Sequence, residues 1–227
     1  LLFIDHPESQ NFDTLKDNQS DYITLSSRIK DGGLVKSICI YCGSSSGLNA
    51  NYRKSIDYLV NALIRNHISL VYGGADVGLM GYLANTMLAA GGHVTGVIPE
   101  GLVNKEIAHQ GLTDLKIVSS MHERKKIMAE LSDGFIALPG GIGTLEEIFE
   151  AFTWSQLGIH HKPCALLNID GYYDHIKLFL QHAVNEMFLK PVHQRMIMID
   201  QDINNIMDFF GAYIPSQEDK WLSNKSS

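Results

Sequence analysis

Leu34-Val35-Lys36-Ser37-Ile38-Cys39-Ile40-Tyr41-Cys42 is a short apolar run that stops at a glycine-rich turn, Gly43-Ser44-Ser45-Ser46-Gly47. Directly after it, residues 51–66 carry Ile56, Leu59, Val60 and Leu63 on one helical face. Strand, turn, helix: the same unit then recurs down the chain. Residues 69–72 read as a second strand and 79–90 as a second helix. Residues 93–98 form a third strand that ends at Pro99. Residues 115–118 form a fourth, followed by a helix to 131. Residues 134–138 form a fifth, with a helix over 144–157, and 164–167 a sixth. Residues 172–187 and 203–210 read as helices. Apolar strands alternating with amphipathic helices imply a parallel sheet covered on both faces. In such sheets ligands sit beyond the carboxyl ends of the strands, so the turns after the strands carry the function.

Upstream of this pattern, residues 1–33 are polar, without a clear period, and close on the turn signal Asp31-Gly32-Gly33. They read as a partly ordered extension ahead of one domain over residues 34–227. The whole chain has 227 residues, 45 % hydrophobic and 19 % charged, which excludes global disorder and a coiled coil. A net charge of -7 disfavours a phosphate backbone or an anionic membrane as partner, so neither nucleic acid nor membrane is expected. The opening Leu1-Leu2-Phe3-Ile4 is broken at once by Asp5, unlike a signal peptide, and the missing initiator Met suggests a trimmed chain. With three cysteines and no secretion signal, a reducing cytoplasm is the simplest expectation. Cys39 and Cys42 form a lone CxxC in a strand-like run, where positions i and i+3 face opposite sides. They read as core residues and not as half of a metal site.

Three of the strand-to-helix turns are rich in glycine: residues 43–47, residues 73–81 (Gly73-Gly74-Ala75-Asp76-Val77-Gly78-Leu79-Met80-Gly81) and residues 139–144 (Pro139-Gly140-Gly141-Ile142-Gly143-Thr144). Glycine lets backbone approach a ligand, and a helix start behind such a turn offers free N–H groups and a positive dipole end. One such turn is just a tight turn; three on one sheet edge favour a nucleotide site. Gly43 and Ser44 of the first and Gly74 of the second are accordingly candidate contacts. Gly73 to Gly78 has GxxxxG spacing, but Leu79 stands where a P-loop needs lysine, and no GxGxxG follows the first strand. That leaves a nucleoside monophosphate or a sugar phosphate, without a dinucleotide cofactor.

Thr144 and Glu147 have capping-box spacing, so Glu147 either caps its helix or serves the site; spacing alone does not choose. Glu147 does lie off the apolar stripe of Leu145, Ile148, Phe149 and Phe152, beside the phosphate cradle. A second box, Ser120 and Glu123, opens the helix in which Arg124 shares the inward face with Ile127, Met128 and Leu131. An inward arginine either reaches a carboxylate or phosphate or snorkels to solvent.

Pro139-Gly140-Gly141-Ile142-Gly143-Thr144-Leu145-Glu146-Glu147 fits PGGxGTxxE, and His122-Glu123-Arg124-Lys125 with Met128 fits an upstream Arg-Lys motif. In this order they resemble the Lonely Guy (LOG) family of cytokinin riboside 5′-monophosphate phosphoribohydrolases, often labelled lysine decarboxylase-like. The similarity runs from about residue 38 to 189. The resemblance implies a Rossmann-like three-layer α/β fold with a mostly parallel sheet, no cofactor and no metal, and a homodimer or larger even assembly. It implies hydrolysis of the N-glycosidic bond of a purine nucleoside 5′-monophosphate. Carried over by motif, Arg124 and Glu147 are the catalytic pair, and Gly140, Gly141, Ile142, Gly143 and Thr144 hold the phosphoribosyl part. Lys125, Glu106 and Thr153 match further substrate-contacting positions. Met80 and Met121 are candidates to line the base pocket.

Two other classes compete. A non-catalytic nucleotide- or molybdenum-cofactor-binding carrier shares glycine-rich turns, but needs no Arg124–Glu147 pair. A pyridoxal phosphate-dependent decarboxylase would draw on His161-Lys162, the only such pair in the chain, followed by Pro163.

Overall fold

The computed structural model describes residues 35–103 and 108–216. The extension expected over residues 1–33 and the candidate Glu106 lie outside the described residues. Among the described residues the elements run β1 (Ser37–Tyr41), α1 (Asn51–Arg65), β2 (Ser69–Tyr72), α2 (Gly78–Ala89), β3 (Val94–Pro99), α3 (Glu100–Val103), β4 (Asp114–Val118), α4 (Met121–Glu130), β5 (Gly134–Ala137), α5 (Ile142–Gln156), β6 (Cys164–Leu167), α6 (Asp174–Asn185), α7 (Pro191–Gln194), β7 (Ile197–Asp200) and α8 (Ile203–Gly211).

The strands form one sheet in the order β4-β3-β2-β1-β5-β6-β7, and every pairing is parallel. Parallel strands leave both faces to be covered by the crossover helices, which is why the strands read as continuous apolar runs. α1, α2 and α8 bury Leu59, Leu63, Leu83, Met87, Ile206 and Phe210 against one face. α4, α5 and α6 bury Met128, Ile148, Phe152 and Leu180 against the other. Each large apolar side chain so buried contributes roughly 1.5–3 kcal/mol. Cys39 belongs to the second core and Cys42 to the first, the opposite facing expected of i and i+3 in a strand. All three cysteines are buried and free, and burial pushes their thiols well above the usual range.

The chain order reverses between β1 and β5: β2, β3 and β4 extend to one side of β1, and β5, β6 and β7 to the other. The crevice beyond the strands opens at such a switch point. Here the first and third glycine turns meet, with Gly43 N–H donating to the Pro139 carbonyl at 3.1 Å. The second turn closes on the first from the β2 side, where Leu79 N–H donates to the Gly43 carbonyl at 3.1 Å. Gly78 makes that approach possible. Its φ is +56°, and a β-carbon there would lie 2.3 Å from the Ser44 carbonyl carbon.

Two expectations need correction. β7, at the sheet edge, was not anticipated as a strand: Ile197 is buried, but Met198, Ile199 and Asp200 are only half-buried, so the run lacks the apolar continuity of the inner strands. α5 starts at Ile142, two residues before the expected 144, with Gly141 as N-cap and no side-chain cap. Thr144 is therefore inside the first turn, and the Thr144–Glu147 box does not cap this helix. The Ser120–Glu123 box is half realised. Ser120 Oγ accepts from Glu123 N–H at 3.2 Å, while the Glu123 carboxylate takes the N–H and hydroxyl of Ser119 at 2.8 and 2.6 Å.

Candidate active site

The uncapped start of α5 faces a hollow of about 400 Å³ above the β1–β5 switch point. The first N–H groups of a helix have no partner within it, so this end presents donors and a positive dipole. Gly141, Ile142 and Gly143 are exposed there, and Thr144 is buried beneath them. Gly43, Ser44, Arg124 and Glu147 line the same hollow. Eight candidate residues from two separate turns and two helices thus meet in one place. Gly140 lines an adjoining hollow of about 310 Å³ that shares Gly43, Ser44 and Gly141 with the first.

Arg124 does not snorkel. It is only 5 % exposed, with Nε donating to the Val97 carbonyl and Nη2 to the Gly73 carbonyl, each at 3.0 Å. These carbonyl acceptors orient the guanidinium, which lines the hollow alongside Glu147. Glu147 lines the same hollow from the first turns of α5. Its charge is felt by Tyr41 below. Burial first, then Cys39, then Glu147 hold the Tyr41 phenol well above its ordinary range, so that hydroxyl stays protonated. The site therefore combines a carboxylate, a guanidinium and a helix N-terminus around one cavity. That combination can bind an anion, hold a sugar, and stabilise a cation developing at a carbon between them.

Lys125, Thr153 and Gly74 line neither hollow. Lys125 Nζ sits 2.7 Å from Glu146 and 3.0 Å from Glu150, which ties α4 to α5 beside Arg124 and Glu147. Thr153 Oγ1 donates to the Phe149 carbonyl within α5 at 2.7 Å. Gly74 is buried against Ile98 and Val97 of β3.

Further residues join the site, among them several that were not candidates. Gly73 and Tyr41 line the main hollow, as do Met80 and Met121, the two methionines considered for a base pocket. Tyr52 and Tyr172 wall the adjoining one, in an edge-to-face pair with centroids 5.8 Å apart. Tyr172 donates its hydroxyl to the Gly140 carbonyl at 2.6 Å, and Tyr173 to the Leu138 carbonyl at 2.5 Å. Both follow β6, so the rule that turns after strands carry function was the available signal; Gly171-Tyr172-Tyr173 simply lacks the glycine density of the other three. Lys162 donates to the Ala129 carbonyl at 2.6 Å and lines neither hollow, which removes the lysine of the pyridoxal reading from the site. A larger hollow of about 580 Å³ lies between α1 and the start of α8. Its one carboxylate, Asp202, already caps Asn204 N–H at 2.8 Å, and it contains no glycine turn.

A family model described as "Possible lysine decarboxylase" matches residues 80–210. The chain is 46 % identical over 180 residues to the cytokinin riboside 5′-monophosphate phosphoribohydrolase LOG7 of Arabidopsis thaliana, covering 79 % of this chain and 83 % of that protein. It is 48 % identical over 169 residues to the enzyme of that name from Rhodococcoides fascians, covering 74 % and 85 %. The chain belongs to the LOG family. Among solved structures, the molybdenum cofactor binding protein of Rippkaea orientalis superimposes with a TM-score of 0.58 at 21 % identity, covering 78 % of this chain and 96 % of that one. At that identity the likeness establishes a shared Rossmann-like fold. In this LOG-family chain the PGGxGTxxE motif is the turn and first helical turns of α5, and the Arg-Lys motif is the start of α4. Among the described residues no helix is long and apolar enough to cross a membrane.

Proposed function

We propose that this protein hydrolyses the N-glycosidic bond of purine nucleoside 5′-monophosphates, giving free base and ribose 5-phosphate. The observation that carries the reading is the convergence of Arg124, Glu147 and the uncapped start of α5 on one cavity of about 400 Å³. The names of the LOG relatives, which act on cytokinin riboside 5′-monophosphates, support it.

In this mechanism the phosphate is held by backbone N–H groups of Gly141, Ile142 and Gly143, with the helix dipole behind them. Gly43, Ser44 and Gly140 complete the cradle. Anchoring the phosphate fixes the sugar, so binding energy at a remote group is used at the glycosidic carbon. The bond from that carbon to the base nitrogen breaks, and the sugar gains oxocarbenium character. The Glu147 carboxylate stabilises this charge or takes a proton from the attacking water, by analogy with glycoside hydrolysis. The water oxygen bonds to carbon and its proton ends on the departing base. Arg124 orients the carboxylate or the phosphate by charge. Met80, Met121 and the exposed Ile142 offer an apolar wall to a purine, with room for a prenylated one. Lys125 acts through its clamp on α5, and the unit works as an even homo-oligomer.

Chromatography of the purified protein incubated with AMP and, separately, isopentenyladenosine 5′-monophosphate tests this. Wild type should release free base from at least one nucleotide and not from the matching nucleoside, and Glu147→Gln should lower kcat by about two to four orders of magnitude. Equal turnover of adenosine and AMP, or unchanged activity in Glu147→Gln, would sink the assignment.

A further inference from the structure

Arg124 reaches one acceptor in β3, Val97, and one in the second glycine turn, Gly73. β3 is an inner strand, held by ladder bonds to both β2 and β4. The turn is not part of the sheet ladder, so something else must hold the Gly73 carbonyl in place. The structure supplies it from the outer side of the turn. His109 N–H donates to the Gly74 carbonyl at 3.0 Å, and Ala75 and Ala108 form an isolated antiparallel bridge. The His109 ring is 6 % exposed and bonded at both nitrogens. Nδ1 accepts the Gly111 N–H at 3.0 Å, which requires that Nε2 carry the proton. Nε2 then donates to Asn85 Oδ1 at 3.1 Å, and Asn85 Nδ2 donates to Asp76 Oδ1 at 3.1 Å, back in the turn. Asp76 Oδ1 lies 3.8 Å from Nε2 and is wedged against Gly81, where a β-carbon would come within 2.7 Å of it.

We propose that His109, Asn85 and Asp76 form a positioning relay that clamps the second glycine turn and, through the Gly73 carbonyl, aims the Arg124 guanidinium into the catalytic hollow. The inference rests on the phosphoribohydrolase reading of that hollow for its kinetic consequences. None of the three residues lines either hollow, so none touches substrate; they act through the turn. His109 grips the turn twice, by its backbone at Gly74 and by its ring through Asn85 at Asp76. The residue after Gly73 in the chain is the one His109 holds, so any loosening of the clamp passes to Gly73 without an intervening hinge.

The test is a double-mutant cycle in the full-length protein. His109→Ala, Asn85→Ala and Arg124→Ala are made singly, and His109→Ala and Asn85→Ala are each combined with Arg124→Ala. Base release from AMP is followed for kcat and KM. The expected result is a fall in kcat of about tenfold for His109→Ala, with KM moved less than about threefold. His109→Gln, which keeps a donor toward Asn85, should recover part of that loss. In the Arg124→Ala background, His109→Ala should cost less than about twofold further. Full additivity of the two substitutions overturns the relay. Asn85 is exposed on α2, so Asn85→Ala carries the same cycle if His109→Ala does not fold. Hydrogen exchange at the Arg124 Nε–H, assigned by its loss in Arg124→Lys, is read independently of turnover. Exchange should accelerate by about tenfold or more in His109→Ala and Asn85→Ala as the bond to Val97 loosens with its neighbour. Unchanged exchange overturns the proposal. If wild type releases no base, the functional reading falls and the exchange arm alone decides the relay.

Discussion

Replacing Gly73 by alanine separates activity from stability. A β-carbon at residue 73 would lie 2.1 Å from Arg124 Nη2 and 2.6 Å from Met80 Cε. Ordinary contact starts near 3.4 Å, so the guanidinium must retreat by about 1.3 Å, and a misplacement near 1 Å can reduce rate on the order of a hundredfold. That factor corresponds to about 2.7 kcal/mol of barrier. Both offending atoms are the ends of long side chains and not backbone, so the fold can yield where the site cannot. Overpacking of this kind costs roughly 1–3 kcal/mol of stability, leaving the protein folded. The assay is kcat for base release from a nucleoside monophosphate, alongside a urea unfolding curve. Gly101→Ala is the control, since nothing lies within 4 Å of its β-carbon. A Gly73→Ala protein with kcat within twofold of wild type would refute the placement of Arg124 as a geometry-critical group. A protein that fails to fold would refute the claim that the turn can absorb the methyl.

Further outcomes follow from contacts around the site and the core. Tyr172→Phe removes the hydroxyl that holds the Gly140 carbonyl at 2.6 Å; KM for the nucleotide should rise by about fivefold, in line with about 1 kcal/mol for one hydrogen bond, while kcat changes little. Gly134→Ala puts a methyl 2.6 Å from the buried Phe210 ring, so α8 must shift and the urea midpoint should fall by the equivalent of about 1–3 kcal/mol. Burial first, then the Lys162 charge, push the His160 imidazole down to about 4. Between its ordinary value near 6.5 and that level the unfolded chain binds a proton that the folded one refuses, so stability is full above about pH 6.5 and declines as pH falls toward 4. Comparing urea midpoints at pH 7 and pH 5 should show a smaller drop in His160→Gln than in wild type; an equal drop would assign the acid sensitivity to other groups.

The periodicity of residues 34–167 was enough to read six of the seven strands and the parallel, doubly covered sheet, because each inner strand must be apolar on both sides. It was not enough for β7, an edge strand whose outer residues meet solvent. Local spacing placed Arg124 on the inward side of α4 and Glu147 off the apolar stripe of α5, since both follow from 3.6 residues per turn. What those side chains meet was not local. The carbonyls that hold Arg124 belong to Gly73 and Val97, 51 and 27 positions away, and the carboxylates that hold Lys125 stand 21 and 25 positions along on α5. Lys125 matches a substrate-contacting position by motif, while the bridge it forms to Glu146 and Glu150 is visible only in the structure. The start of α5 shows the same division. Thr144 and Glu147 have the spacing of a cap, but the helix begins earlier, at Ile142, with Gly141 as N-cap and no side-chain cap, at the edge of the hollow. Sequence by itself determined the fold class and the family, and it singled out Arg124 and Glu147 as the proposed catalytic pair. Only the tertiary structure decided which residues surround that pair, because strand order brings turns 43–47, 73–81 and 139–144 together at one switch point, and no local pattern encodes strand order.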